Sequence, residues 1–140
     1  MRDCTKRVYA WADGLNWTAG TKSLVKEDLL VLVIDGSLEY KCPPPRMRKR
    51  KRGSVSHYNP RKHMIYLVDF HQNPVIVLHE VAHAIARQTL KLGGHCKAWL
   101  GIFQWLMIRY QIMSKKFLKS SMAAYNLPWV PLSPKQIGIK

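Results

Sequence analysis

Leu78-His79-Glu80-Val81-Ala82-His83-Ala84, followed after a short interval by Gly93-Gly94-His95, is the stretch that decides how this chain is read. Histidines four residues apart lie one turn apart on the same face of a helix, so His79 and His83 can reach one metal ion. Glu80 falls on the same turn, where a carboxylate can take a proton from water activated at that metal. The helix that carries them is predicted to open at Asn73-Pro74, a capping residue followed by proline in the first helical position. It should run to about Leu92, where Gly93-Gly94 stops it. A catalytic zinc needs three protein ligands and one open position. After Glu80 the chain has no Asp or Glu, and after His83 its only histidine is His95. The third ligand is therefore His95, its neighbour Cys96, or an upstream group such as His57, His63, His71 or Asp69. A shorter HExxHxxGxxH site is excluded, because position 86 is Ala and position 89 is Thr.

Working outward, a further helix is expected from His95 to about Met113, with Trp99, Ile102, Phe103, Leu106 and Tyr110 on one stripe. The tail from 114 to 140 contains Pro128, Pro131 and Pro134 and reads as irregular. Upstream, Gly53 to Tyr58 and Met64 to Val68 are β-rich and flank the turn sequence Asn59-Pro60-Arg61-Lys62, which predicts a hairpin. Before it lies Lys41-Cys42-Pro43-Pro44-Pro45-Arg46-Met47-Arg48-Lys49-Arg50-Lys51-Arg52-Gly53. Three prolines cannot continue a helix and the clustered charges repel one another, so residues 42–53 read as an exposed basic arm. The N-terminal part, residues 1–41, is expected to hold a helix from Thr5 to Leu15. A second, capped by Ser23, should run from Leu24 to about Leu38. Leu29 to Ile34 is apolar enough to be a buried strand instead, and periodicity alone does not decide. The class is α+β, in a single domain over 1–140 whose core spans 54–113.

The 140 residues can bury roughly 68% of the surface of the unfolded chain, so the core needs no disulfides. Lys and Arg total 23 against 8 acidic residues, a net charge of +15, and residues 81–140 carry no acidic side chain at all. Such an excess points to a polyanionic partner, with DNA or RNA ahead of a membrane surface. Cys4, Cys42 and Cys96 are odd in number and form no CxxC pair, which speaks against a disulfide framework or a four-cysteine zinc site. The first residues lack the apolar stretch of a signal peptide. The longest nearly uninterrupted apolar run, Ala98 to Ile108, is far short of the ~20 residues that span a bilayer. The expectation is a soluble cytoplasmic protein with no membrane partner.

The motif and its surroundings resemble the SprT-like zinc metallopeptidases, particularly their small phage and bacterial members. The resemblance covers roughly Ser54 to Met107. It rests on the strand Met64-Ile65-Tyr66-Leu67-Val68, on Leu78 to Ala84, and on a histidine that opens an aromatic-anchored helix. The family usually shows His-Gly-x-x-Phe at that last place; here it reads His95-Cys96-Lys97-Ala98-Trp99. The resemblance implies His79, His83 and His95 as ligands of one Zn2+ per chain and Glu80 as catalytic base. It also implies a minimal zincin fold, with helices packed on a small sheet, and a protein or peptide substrate. Relatives of this kind include enzymes that degrade proteins crosslinked to DNA.

His57, His63 and His71 read as surface or hairpin residues, and Trp99, Phe103 and Trp105 as core. Tyr58, Tyr66 and Tyr110 each carry a hydroxyl that could serve a developing oxyanion, and nothing in the sequence selects one. Arg46, Arg48, Lys49, Arg50, Lys51 and Arg52 are the candidate nucleic-acid contacts. Two function classes follow: a zinc peptidase, and a basic nucleic-acid-binding accessory protein with a structural zinc site. Glu80 favours the first, because a structural site has no use for a general base beside its ligands.

Overall fold

The computed structural model describes residues 3–15, 26–50, 56–68 and 73–139. At its centre is the helix Pro74–Leu90, numbered α3 below. The Asn73 side chain accepts a hydrogen bond from the Ile76 N–H at 3.0 Å, and Pro74 fills the first position, where no N–H is needed. Val75, Val77, Leu78, Val81, Ala82, Ala84, Ile85 and Ala86 are all buried, so most of the helix circumference is core. The helix ends earlier than the glycines suggest. Lys91 takes the left-handed conformation at φ 58°, and the Leu92 N–H closes the last turn on Ala86 O at 3.1 Å.

Two helices precede the sheet, α1 (Thr5–Asp13) and α2 (Lys26–Glu39). The helical alternative for Leu29 to Ile34 is the observed one. Leu29, Leu32 and Val33 are buried while Leu30, Val31 and Ile34 are exposed. This apolar-all-round pattern explains why periodicity could not separate helix from strand. The expected Ser23 cap and Leu24 start lie outside the described residues.

The sheet has three strands, β1 (Arg46–Arg50), β2 (His57–Asn59) and β3 (Met64–Val68), in the order β1-β3-β2. The hairpin is as the turn sequence predicts. β2 runs antiparallel to β3, pairing His57 with Tyr66 and Asn59 with Met64, and Asn59 Oδ1 accepts from the Arg61 and Lys62 N–H groups. The basic segment is a correction. Instead of an exposed arm over 42–53, Arg46–Arg50 forms a strand parallel to β3, in register from Arg46 opposite Met64 to Arg50 opposite Val68. Pairing with β3 satisfies the peptide groups on one side of β1, which forms an edge of the sheet. Met47 packs against the core, while Arg46, Arg48 and Lys49 stay exposed and keep their charges in water. Lys51 and Arg52 lie outside the described residues.

After α3 comes α4 (Lys97–Arg109), two residues later than expected, with Trp99, Leu100, Ile102, Phe103, Leu106 and Met107 buried. The tail is a second correction. Residues Lys115–Ala123 form a helix, α5, capped by Ser114, whose Oγ accepts from the Phe117 N–H at 3.1 Å. Only Leu118 and Met122 anchor it, one turn apart, and two apolar positions are too weak a period to read locally. The remaining chain crosses α4 at Gly101, where a side chain would collide with Val130 O. The Leu132 N–H bonds Gly101 O at 3.0 Å, and the Gln104 side chain bonds both Pro128 O and the Val130 N–H. The whole is an α+β arrangement in which α3 lies between α2 and α4 and against the sheet. Among the described residues no helix is long and apolar enough to cross a membrane.

Candidate metal centre

The Nε2 atoms of His79, His83 and His95 form a nearly equilateral triangle with edges of 3.0, 3.1 and 3.2 Å. His79 and His83 come from successive turns of α3, and His95 from the loop between α3 and α4. The chain reverses there through Gly93-Gly94, with Gly94 at φ 69°. Ligands on a tetrahedral ion at metal–nitrogen distances near 2.0–2.1 Å stand about 3.4 Å apart, close to the separation seen here. The three histidines therefore lie close enough to hold one metal ion, and among the described residues they are the only such group.

Protonation and packing prepare the rings. Burial holds His79 well below the ordinary imidazole range, with the neighbouring His83 and His95 adding to it. Burial likewise takes His83 down to about 3 and lowers His95. All three rings are neutral at pH 7, the form that ligates. His95 Nδ1 lies 3.0 Å from Thr5 Oγ1, and that hydroxyl in turn donates to the Asp3 carboxylate. A hydroxyl whose proton goes to the carboxylate accepts from His95 Nδ1–H, which leaves Nε2 with its lone pair free for a metal. Asp3 also accepts from the His95 backbone N–H at 3.1 Å, and the Cys4 N–H donates to His95 O at 2.9 Å. Hydrogen bonds from Thr5 outweigh partial burial and keep the Asp3 carboxyl below its usual range. Beneath the triad, the fully buried Trp99 stacks on His83 at 5.1 Å, meets His79 and His95 edge-on, and donates Nε1–H to His79 O. Trp99 is core, as its helical spacing suggests, and it is also the floor on which the three imidazoles sit.

The triad opens into a cleft of about 230 Å³ whose lining includes Tyr9, His57, Tyr58, Glu80 and Arg87. Glu80 is only 5% exposed, and burial pushes its carboxyl up to about 8 while a hydrogen bond to the Tyr58 backbone pulls it the other way. A cation on the histidines would draw it back toward the charged form.

The remaining candidates separate cleanly. Cys96 is the N-cap residue of α4 and is not part of the triad. His57 lies on β2, stacked on Tyr66 at 4.9 Å. His63 sits in the hairpin turn, its two ring nitrogens near Tyr58 Oη (2.7 Å) and Pro43 O (2.5 Å). His71 and Asp69 lie outside the described residues. Of the tyrosines, Tyr58 lines the cleft but its hydroxyl is engaged by His63 and Gln88. Tyr66 is buried in the sheet, and Tyr110 is at the far end of α4. Sequence reading missed Tyr9. Its ring stacks over His79 at 6.0 Å and meets His95 edge-on at 5.3 Å, with 48% of the residue still exposed. Seventy positions separate Tyr9 from the motif, and no local pattern marks it.

No protein-family model, curated protein or solved structure matches this chain.

Proposed function

We propose that this protein is a zinc-dependent metallopeptidase of SprT-like, minimal zincin type. The observation that carries the reading is the convergence of three neutral imidazole Nε2 atoms within 3.2 Å of one another beside a buried glutamate in an open cleft. Zinc bound there supplies a Lewis acid that polarises the scissile carbonyl and brings the pKa of water toward ~7. Glu80 takes the proton from the attacking water and passes it to the leaving amine. Its burial keeps its affinity for that proton high. Tyr9, with its ring against two of the imidazoles, is the tyrosine best situated to donate to a developing oxyanion. Strand β2 is a sheet edge that also lines the cleft, which suits an extended substrate added alongside it.

The charge of +15 and the exposed Arg46, Arg48 and Lys49 support substrates associated with nucleic acid. They equally favour a second reading, a nucleic-acid-binding accessory protein with a structural zinc site. Glu80 argues against that one, because burying a carboxylate next to three ligands costs stability that a purely structural zinc site has no need to spend. Metal analysis of the purified protein, together with peptide cleavage before and after Glu80→Gln, separates the two. One zinc per chain and cleavage that the substitution removes support the peptidase. One zinc with no cleavage supports the accessory protein.

A further inference from the structure

Arg87 stands one turn beyond His83 on the same face of α3 and lines the same cleft. The ordinary reason for an arginine here is the helix C-terminus, whose free carbonyls attract cations. Several carbonyls in that last stretch have other partners. Ile85 O accepts from Thr89 Oγ1, Ala86 O from the Leu92 N–H and Gln88 O from Lys91 Nζ. Among the described residues the solvent-exposed Arg87 side chain has no hydrogen bond or ion pair; the ion pair found there joins Arg109 to Glu39. The guanidinium lies beside the glycine loop, in a cleft that β2 also lines. A Cβ on Gly93 would sit 3.9 Å from Arg87 Nη1, and the positive charge also acts on the Tyr58 hydroxyl. Among the described residues that line the cleft, Glu80 is the one carboxylate, and it has its own partner in the Tyr58 backbone.

We propose that Arg87 is a carboxylate-binding subsite, and that the cleft takes peptides carrying an acidic side chain or a free C-terminal carboxylate near the bond to be cut. The inference rests on the peptidase reading for the word "cut", though not for the binding. Four helical residues rise about 6 Å, and an extended peptide advances about 3.3 Å per residue. The carboxylate therefore belongs within about two residues of the scissile bond. A planar guanidinium meets a carboxylate through two parallel N–H···O bonds, which gives geometry as well as attraction. Gly93 leaves room for that approach because it puts no side chain in the way.

The test uses zinc-loaded protein at 150 mM salt and three peptides of one core sequence. The first is amidated with a central Asp, the second neutral with a free carboxylate two residues from the centre, and the third neutral and amidated. Binding is measured by calorimetry on the Glu80→Gln protein, so no turnover is needed, and cleavage on the unsubstituted protein. At least tenfold tighter binding of the first or second peptide than of the third is expected, and which of the two is preferred identifies the source of the carboxylate. Arg87→Gln should erase the difference and Arg87→Lys should keep part of it. Equal binding of all three peptides overturns the inference, as does a preference that survives Arg87→Gln, since the carboxylate would then be held by the metal. Discrimination that depends on Arg87 without cleavage of any peptide overturns the peptidase reading and leaves the carboxylate site in place.

Discussion

Thr5 Oγ1 and His95 Nδ1 lie 3.0 Å apart although ninety positions separate them in the chain. Through this contact and the Asp3 carboxylate behind it, the start of α1 orients a ring whose other nitrogen faces His79 and His83. The N-terminal helix is thereby part of the candidate metal site. Thr5→Val removes the acceptor and should weaken zinc binding about 10–100-fold, whereas Thr5→Ser should restore it. Competition against a chromophoric chelator measures both, and unchanged affinity in Thr5→Val would show that ring packing alone holds His95.

His95→Ala should abolish stoichiometric zinc, while Cys96→Ser should leave it nearly intact, because Cys96 sits at the N-cap position of α4 and is not among the three converging ligands. Metal content by emission spectroscopy checks the pair. The opposite outcome would transfer the third ligand to the thiol.

Glu80→Gln should preserve fold and zinc content and lower peptide cleavage by ~10²–10⁴-fold or more, since an amide of the same size cannot accept the proton. Unimpaired turnover of a reporter peptide by this variant would sink the proposed mechanism.

The stability of the zinc-free protein should peak near pH 6.5. Below that, the unfolded chain binds protons at histidines that are held neutral in the fold, His83 down to about 3, so stability falls with acidification. Above it, the buried Glu80, raised to about 8, keeps a proton that the unfolded chain has released, so stability falls again toward pH 8. The slopes should be about 1–3 kcal/mol per pH unit on the acid side and up to about 1.4 on the other. Denaturant titrations of chelator-treated protein at pH 5.5, 6.5 and 8 would reveal the maximum; stability rising steadily from 5.5 to 8 would contradict it.

Because Arg46–Arg50 is a strand, its basic residues and its apolar one should behave differently. Changing Arg46, Arg48 and Lys49 to Ser should weaken DNA binding and flatten its dependence on log salt by up to about 2.7, roughly 0.9 for each phosphate no longer neutralised. Fold and zinc content should survive. Met47→Ser should instead cost about 1–2 kcal/mol of stability, because the thioether no longer fills its place against the core. A Met47→Ser protein as stable as the parent would return the segment to a free arm.

What the sequence by itself determined is what depends on near neighbours. An i, i+4 pair of histidines shares a helix face whatever surrounds it, and Asn73-Pro74 opens α3 by satisfying its own backbone. Asn59 similarly closes the β2–β3 turn with its own side chain. Tertiary structure decided the rest. Residue chemistry left His95, Cys96 and several upstream groups as third partner, and only the reversal after Lys91 brings one nitrogen into the triangle. Arg46–Arg50 reads locally as repelling charge and becomes a strand because β3 offers it backbone partners and the core offers Met47 a place. Tyr9, Thr5 and Asp3 reach the site from the other end of the chain. Contacts of that kind gain their energy from burial and pairing between distant segments, and neither leaves a period, a spacing or a cap in the residues that make them.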